Sequence, residues 1–426
     1  MTHPPGRGLF RDLSPIAWFR LGLAFNAVLL TVFTLGALHS RGLMTYAGND
    51  YRAFRSVAAI ARDHGFSEVY DGQLLEDYQR SLVDAYASPL GRTEFVAMPA
   101  PYPPAFLPLL DIALWFPPAT GYLAWTLISA TLIVLSFRPG FRLVDTGHRS
   151  ILAAAAFLSL PVYLTLLFGQ LTAWMCLGLA GFLLASRHGK GFQSGLWLTL
   201  LLIKPQSLIV LGPGLLVSRR FRALLGLATG SLAVLVLSFV VAGEAGLAAL
   251  LRLYLSYPGE LLYTFPESMM NWRTLAAQFA AGLGTNFEAL AILASLATAA
   301  LGIWLWSRPG GARSDAGFAA LVAASYAATS LASWHAHIHM AAPLFLPLLL
   351  LWPGARSWRV FLAIWVLVPV SVFGLVGITM GPGLAHQAAG MTMVVLNLAA
   401  LALASADVLR TDVPALAEIT LPEDPG

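Results

Sequence analysis

Three turns in otherwise apolar sequence carry side chains suited to acid, base or phosphate chemistry. Each turn joins two charge-free arms, and helical arms would place all three turns on the same side of a membrane. Amide, ammonium and imidazole groups donate hydrogen bonds to phosphate and hydroxyl oxygens, so a shared site for such a ligand is predicted. The turns are Phe168-Gly169-Gln170, Lys204-Pro205-Gln206 and Trp334-His335-Ala336-His337-Ile338-His339.

Lys204 is the sharpest candidate because basic residues stand close on both sides of it. Only 13 residues separate it from Lys190, and 14 separate it from Arg219. At about 1.5 Å per residue each arm is about 20 Å long, less than the roughly 30 Å of bilayer hydrocarbon. The ammonium is therefore predicted to lie below the outer surface in a wet cavity, where an embedded cation indicates function. The alternative is a lysine that snorkels to the interface.

Asp50 is the candidate acid-base residue. It follows the first charge-free run, Leu21 to Leu38, by 12 residues and precedes apolar residues spaced three and four apart. That spacing predicts an amphipathic helix over 52–64 that lies along the interface, and a second helical pattern covers 71–86. Asp50 at the start of the first helix also suits an N-cap, and the capping and catalytic roles do not exclude each other.

The histidines and a nearby arginine leave several roles open. A metal site, hydrogen-bonded interface side chains and contact with a substrate all fit His335, His337 and His339, but no Asp, Glu or Cys at ligand spacing completes a metal site. Asn271-Trp272-Arg273 adds a cation beside aromatic residues. Its alternative is an aromatic interfacial belt with one Arg anchor.

The elements that position these residues lie in a membrane. Hydrophobic residues make up 58% of the 426 residues, charged residues 11%, and the mean hydropathy is +0.73, whereas soluble domains carry about 25% charged residues. A single cysteine, Cys176, excludes a disulfide framework, and a net charge of +4 does not indicate a nucleic-acid partner. Because the sequence has no Walker-type glycine loop, neither an ATP-driven pump nor a sugar-nucleotide enzyme is predicted.

The charge-free runs predict an all-α polytopic membrane protein with about 12 transmembrane helices and both termini inside. Residues 1–426 form a single integral membrane domain, with an extracytoplasmic loop over 39–101 and a cytoplasmic tail over 411–426. If the short basic clusters share a side with the N-terminus, that side holds 16 of the 25 positive residues, which makes it cytoplasmic. The stretch 103–116 is predicted to form a partial or tilted dip, followed by a true span near 122–137.

A set of short motifs occurs in a recognisable order along the chain. These are Asp50-Tyr51, Val69-Tyr70-Asp71, Pro101-Tyr102-Pro103-Pro104, Gly169-Gln170, Lys204-Pro205-Gln206 and Arg219-Arg220. Each motif is short, and their order and spacing carry the likeness. In this order the sequence, from about residue 20 to beyond residue 340, resembles glycosyltransferase family 87.

This resemblance implies a GT-C-type fold and an inverting glycosyltransferase. The enzyme would move a sugar, mannose in the best-known members, from a polyprenyl-phosphate donor to a hydroxyl of a glycolipid or glycan acceptor, with no cofactor and no metal. Asp50 matches the catalytic position of the outer loop, and Lys204 with Arg273 and His335 is expected to bind the donor phosphate. The active site is expected on the extracytoplasmic side of the cell (inner) membrane, in contact with membrane lipids. Further substrate contacts are expected from Tyr51, Tyr102, Gln170, Gln206 and His339.

Two other functional classes stay open at this point. A secondary transporter of an anionic solute also uses broken helices with polar residues at depth. Against it, no motif repeats between the halves of the chain, and the polar turns lie toward one side rather than at the midplane. A membrane acyltransferase that uses one of the histidines is the other alternative.

Overall fold

In the computed structural model, the chain is a helical bundle with a continuous buried core. The structure describes residues 14–88, 90, 95–256, 265–308 and 314–410, so the predicted tail over 411–426 lies outside the described residues. Within these ranges the chain forms helices and loops, and Met269 and His337 make one isolated antiparallel bridge.

The α-helices of these ranges are α1 (Pro15–Arg41), α2 (Asn49–His64), α3 (Gly72–Ala85), α4 (Pro118–Leu143), α5 (Thr146–Leu158), α6 (Leu160–Phe168), α7 (Thr172–Arg187), α8 (Gly191–Leu198), α9 (Leu211–Val217), α10 (Phe221–Ser256), α11 (Trp272–Leu283), α12 (Glu288–Leu305), α13 (Asp315–Ala332), α14 (Phe345–Leu351), α15 (Arg356–Met380) and α16 (Pro382–Arg410). A π-helix covers Leu43–Ala47. Short 3-10 helices cover Glu68–Tyr70, Pro104–Leu114, Thr199–Ile203, Pro205–Leu208, Pro266–Ser268 and Ile338–Leu344.

Six of the described helices are long and apolar enough to cross a membrane, namely α1, α4, α10, α12, α15 and α16. The pair α5 and α6, bent by 55°, makes a seventh if it counts as one span. The chain is therefore an all-helical membrane protein in the part described, as predicted. The count of about twelve crossings is not confirmed, because α13, with 18 residues, is not among the candidate spans and the shorter apolar helical segments have only 10–17 residues.

Two helical segments follow the long loop, and the dip predicted over 103–116 stays a prediction. Pro104–Leu114 is a short 3-10 helix, which falls short of a span, and α4 then supplies a long apolar helix. Pro103 precedes the first segment and Pro117 precedes the second. Because proline lacks a backbone N–H and fixes its φ angle, it favours helix starts at these points.

The core is built on α13, whose residues from Gly317 to Ala332 are all buried. A helix that is apolar on every face belongs in the interior, and its many alanines and serines let neighbouring helices approach closely. A second close contact joins α8 and α10. A Cβ atom added at Gly195 would lie 1.8 Å from the Ala223 carbonyl oxygen, and one at Gly226 would lie 2.0 Å from the Phe192 carbonyl oxygen. This contact fixes the arm that leads to Lys204.

Contacts at one end of the bundle join turns that carry basic residues. Arg187 forms an ion pair with Asp315 at 2.9 Å, and the Arg220 guanidinium lies 4.6 Å from the centre of the Phe318 ring. The Trp358 indole N–H donates to Asp407 over 2.6 Å. The polar turns singled out from the sequence lie at the other end of the same helices.

Candidate active site

The predicted polar turns meet at one cavity of about 920 Å³. Eight of the nine predicted site residues line it: Asp50, Tyr102, Gln170, Lys204, Gln206, Arg273, His335 and His339. The described lining holds two carboxylates, Asp50 and Glu267. Against these it holds four cationic side chains: Arg41, Arg52, Lys204 and Arg273. The cavity therefore suits an anionic ligand.

Lys204 lies at the break between two short 3-10 helices, where its φ of −130° and ψ of 85° leave the helical region. Its Nζ donates to Oε1 of Gln170 over 3.1 Å and lies 2.7 Å from Nε2 of His339. The side chain is half-buried and faces the cavity. These partners hold the ammonium inside the protein, so the snorkelling alternative is not supported.

Asp50 lies in the first turn of α2 and faces the same cavity. The N-cap of this helix is Gly48, so the expectation that Asp50 caps the helix is wrong. Its carboxylate instead interacts with the Lys204 ammonium and accepts a hydrogen bond from the Gln170 side chain. Burial raises the pKa of Asp50, because desolvation disfavours the charged form, and the Lys204 charge and the Gln170 hydrogen bond partly offset that rise.

Gln170 thus joins the two candidate residues. Its side chain accepts from Lys204 and donates to Asp50, which uses both ends of the amide. The side chain is buried, and its position follows from the turn that ends α6. The Trp125 indole N–H donates to the Gly169 carbonyl over 2.7 Å, which fixes this turn from α4.

Tyr51, which was predicted to contact substrate, does not line the cavity. It is fully buried, and its hydroxyl donates to the Ala113 carbonyl over 3.0 Å. Gly169 has a φ of +74°, and a Cβ atom there would lie 2.7 Å from Cβ of Tyr51. Tyr51 therefore packs on the Gly169 turn, and the geometry gives its predicted substrate contact no support.

Arg52 of α2 links the helices beside the cavity to the segment that covers it. The guanidinium is buried, and it donates to Gln79 over 3.1 Å, to the Met44 carbonyl over 2.8 Å and to the Val96 carbonyl over 2.9 Å. Gln79 also exchanges two hydrogen bonds with the backbone of Met98. These bonds hold residues 95–102, which we call the cover segment, against α2 and α3.

The histidine loop is held from two directions. The Met270 N–H donates to the Ala336 carbonyl over 2.9 Å, and the Gln206 amide donates to the His335 carbonyl over 3.4 Å. The His335 and His337 rings have centroids 4.8 Å apart, and all three histidines line the cavity. Among the described residues, no group of three or more His, Cys, Asp or Glu side chains is arranged to hold a metal ion.

Arg273 belongs to the cavity rather than to an interfacial belt. Asn271 caps α11 by accepting from the Thr274 N–H, and its amide donates to the Ser333 carbonyl over 2.7 Å. Arg273 is buried in the first turn, and its guanidinium lies 5.2 Å from the centre of the Trp334 ring. The structure therefore favours the first of the two predicted roles, a cation beside an aromatic surface.

The structure adds residues that the sequence did not single out. Thr45, Tyr46 and Asn49 line the cavity from the start of the long loop, and His386 and Gln387 line it from the start of α16. One signal was available, because His386 interrupts a long charge-free stretch shortly after Pro382-Gly383. Thr45 and Asn49 gave none.

Comparison with known proteins agrees with the motif order. The family model of glycosyltransferase family 87 matches residues 101–333, which is more than half of the chain and includes Gln170, Lys204 and Arg273. Asp50, His335 and His339 lie outside the matched range. No curated protein and no solved structure matches the chain, so the GT-C-type fold stays a prediction. Because the model of glycosyltransferase family 87 matches more than half of this helical membrane protein, the chain belongs to that family.

Proposed function

We propose that this glycosyltransferase moves a sugar from a polyprenyl-phosphate donor to a hydroxyl of a glycolipid or glycan acceptor. The observation that carries the proposal is the order Asp50, Gln170 and Lys204, in which one amide side chain contacts both a carboxylate and an ammonium in one cavity. Glycosyl transfer from a lipid phosphate needs a base for the acceptor and positive charge for the leaving group. Mannose is the expected sugar.

Asp50 fits the general base. It would take the proton from the acceptor hydroxyl while that oxygen attacks the anomeric carbon, and the bond from the anomeric carbon to the phosphate oxygen would break. A single in-line displacement inverts the anomeric carbon, so a β-linked donor gives an α-linked product. A positioned base contributes roughly 10² to 10⁴ in rate.

Lys204 fits the phosphate site. Negative charge grows on the leaving phosphate in the transition state, and an ammonium that is already fixed inside the protein stabilises it without reorganisation. Arg273 lines the same cavity, and His335 lies close enough to Lys204 and Arg273 to interact with both charges. These residues form the proposed donor-phosphate site, which the predicted topology places on the extracytoplasmic side of the cell membrane.

Purified protein in lipid nanodiscs tests this proposal with a radiolabelled mannosyl polyprenyl phosphate and a membrane lipid extract as acceptor. We expect label to move to a lipid product, and we expect Asp50→Asn to lower the rate at least about 100-fold. Glu267→Gln tests the other carboxylate of the described lining. Normal transfer by folded Asp50→Asn, with transfer lost in Glu267→Gln, would reverse the base assignment.

Sealed vesicles made with the same purified protein separate the rival class, because nanodiscs enclose no volume into which a solute could be taken up. A secondary transporter would take up an anionic solute into sealed vesicles and leave the label on the donor. Transfer without uptake supports the enzyme. Uptake without transfer would end the proposal of sugar transfer from a lipid phosphate.

A further inference from the structure

Helix α4 carries two buried aromatic side chains that bind a turn of the active site and do not line the cavity themselves. The Trp125 indole N–H donates to the Gly169 carbonyl over 2.7 Å, and the Tyr122 hydroxyl donates to the Leu167 carbonyl over 2.7 Å. Carbonyl groups at the end of a helix have no partner within the helix itself. Tyr122 and Trp125, which we call the α4 pair, therefore hold the turn between α6 and α7.

The α4 pair also packs on α2, the helix that carries Asp50. The Tyr51 ring has its centroid 5.6 Å from that of Tyr122 and 6.2 Å from that of Trp125, which is the usual spacing of packed aromatic rings. The approach is close, because a Cβ atom added at Gly121 would lie 2.3 Å from the Tyr51 hydroxyl. One helix thus holds both the residue next to Asp50 and the turn that carries its amide partner.

That amide partner, Gln170, depends on a fixed orientation. Its Oε1 accepts from Nζ of Lys204 over 3.1 Å, while its amide nitrogen donates to Asp50. The two ends of an amide point in different directions, so both contacts exist together only when the turn is held in one orientation. Groups that lock a site side chain in this way support its geometry from outside the site.

We infer that Tyr122 and Trp125 are positioning residues of sugar transfer, which act through Gln170 on the proposed base and on the proposed phosphate site. This inference rests on the proposed function. Because neither side chain lines the cavity, the α4 pair takes no part in the bond change. Its contribution is the orientation of one amide, which sets how the carboxylate of Asp50 and the ammonium of Lys204 are presented to the substrates.

Loss of this orientation has a signature that loss of stability alone does not have. The hydrogen bond from Gln170 lowers the pKa of Asp50. Without it the carboxylate takes up a proton at a higher pH, and a protonated Asp50 cannot act as a base. The acid limb of kcat/KM therefore moves to higher pH, whereas a change in packing elsewhere lowers stability and leaves the limb in place.

The test measures sugar transfer by purified variants in nanodiscs, with the labelled donor and the lipid extract. Trp125→Phe removes the N–H and keeps an aromatic ring, and we expect kcat to fall about 10- to 100-fold with the acid limb at higher pH. Tyr122→Phe removes one hydroxyl and little volume, and should change both quantities in the same direction by less.

The matched control is Trp306→Phe. The Trp306 indole N–H also donates over 2.7 Å, to Oγ of Ser325, and this side chain is likewise buried and does not line the cavity. The control therefore loses the same kind of hydrogen bond from the same kind of residue. We expect its kcat and its acid limb to match those of the wild type.

A double-mutant cycle tests whether the α4 pair acts through Gln170. Gln170→Ala removes the amide that the pair orients, so Trp125→Phe added to this variant should lower kcat by less than about twofold further. Single effects that multiply in the double variant would mean that Trp125 acts by another route, which would overturn the inference.

Other results would overturn it as well. Wild-type kinetics in both Trp125→Phe and Tyr122→Phe would remove the α4 pair from the reaction. A fall in kcat with an unmoved acid limb would assign the pair to packing alone, and so would an equal fall in Trp306→Phe. Tyr122→Phe decides the matter if Trp125→Phe does not fold. The proposed function fails separately, when folded wild-type protein transfers no label to the lipid extract.

Discussion

Nζ of Lys204 lies 2.7 Å from Nε2 of His339. An ammonium group has only donors, so Nε2 accepts this hydrogen bond and the imidazole is neutral with its proton on Nδ1. His339 thereby fixes the direction of the ammonium from one side, and Gln170 fixes it from the other. The two direct hydrogen-bond partners of the Lys204 ammonium are neutral, and Asp50 is a charged group that interacts with it in the same cavity.

Loss of this charge tests the proposed phosphate site. Lys204→Met should lower kcat/KM by about 10² to 10³, because a fixed charge aimed at the transition state is removed. Lys190→Met is the matched control, since Lys190 is the other lysine of the chain and is exposed at the opposite end of the bundle. Steady-state kinetics on both variants gives the comparison. Wild-type kinetics in Lys204→Met would remove this residue from the mechanism.

The pH dependence tests the pairing of Asp50 with Lys204. Asp50 belongs to α2, outside the candidate spans, and burial raises its pKa from the ordinary value of 3.8. A base acts only when ionised, so kcat/KM should fall as the pH drops through a pKa above that value. Lys204 lowers the pKa of Asp50, and its removal should move this acid limb to higher pH. The kcat/KM that Lys204→Met retains is measured from about pH 4.5 to pH 9. An acid limb that moved to lower pH in this variant would contradict the interaction between Asp50 and Lys204.

We expect the close contact between α8 and α10 to leave no room for a side chain at position 195. Gly195→Ala places a methyl group against the Ala223 carbonyl, which must move α8 and the arm that carries Lys204. Overpacking of this kind costs about 1–3 kcal/mol. Gly36→Ala in α1 meets open space, and because alanine favours a helix over glycine this variant should not be destabilised. Thermal unfolding in nanodiscs measures both variants, and equal midpoints would show that α8 adapts freely.

Arg52 should control the order of the cover segment. Arg52→Met removes three hydrogen bonds from a buried cation and should lower the free energy of unfolding by on the order of 3 kcal/mol. Hydrogen exchange should rise over residues 95–102 in this variant. Arg62→Met, which removes an exposed ion pair, is the control. Unchanged exchange over 95–102 would mean that other contacts hold the cover segment.

The membrane class and the gathering of polar turns were predictable because both follow from charge spacing. Lys204 has too few apolar residues on either side to reach a membrane surface, and a lysine below that surface needs polar partners. Gln170 and His339 were predicted as substrate contacts in the same region. Both residues are direct partners of Lys204. This role depends on the directions of their side chains, which cannot be predicted from residue spacing.

The remaining differences come from packing. Asp50 suited an N-cap by its type and position, yet Gly48 takes that place and turns the carboxylate toward the cavity. Tyr51 follows Asp50 and so suggested a substrate contact, but successive residues on a helix point in different directions, and Tyr51 points into the core. Thr45 joins the cavity from a π-helical turn that the hydrophobic pattern does not encode, and Asn49 joins it as the first residue of α2.

Gly169 sets the distance between the proposed base and its amide partner although it touches neither acceptor nor donor. It precedes Gln170, and it leaves room for Tyr51, the neighbour of Asp50, at a separation that any side chain would increase. Replacing it would therefore look like an active-site defect in kinetics and like a packing defect in calorimetry. Gly169, which has no side chain, acts here as a spacer. We therefore expect position 169 to tolerate substitution as poorly as position 50, which carries the carboxylate.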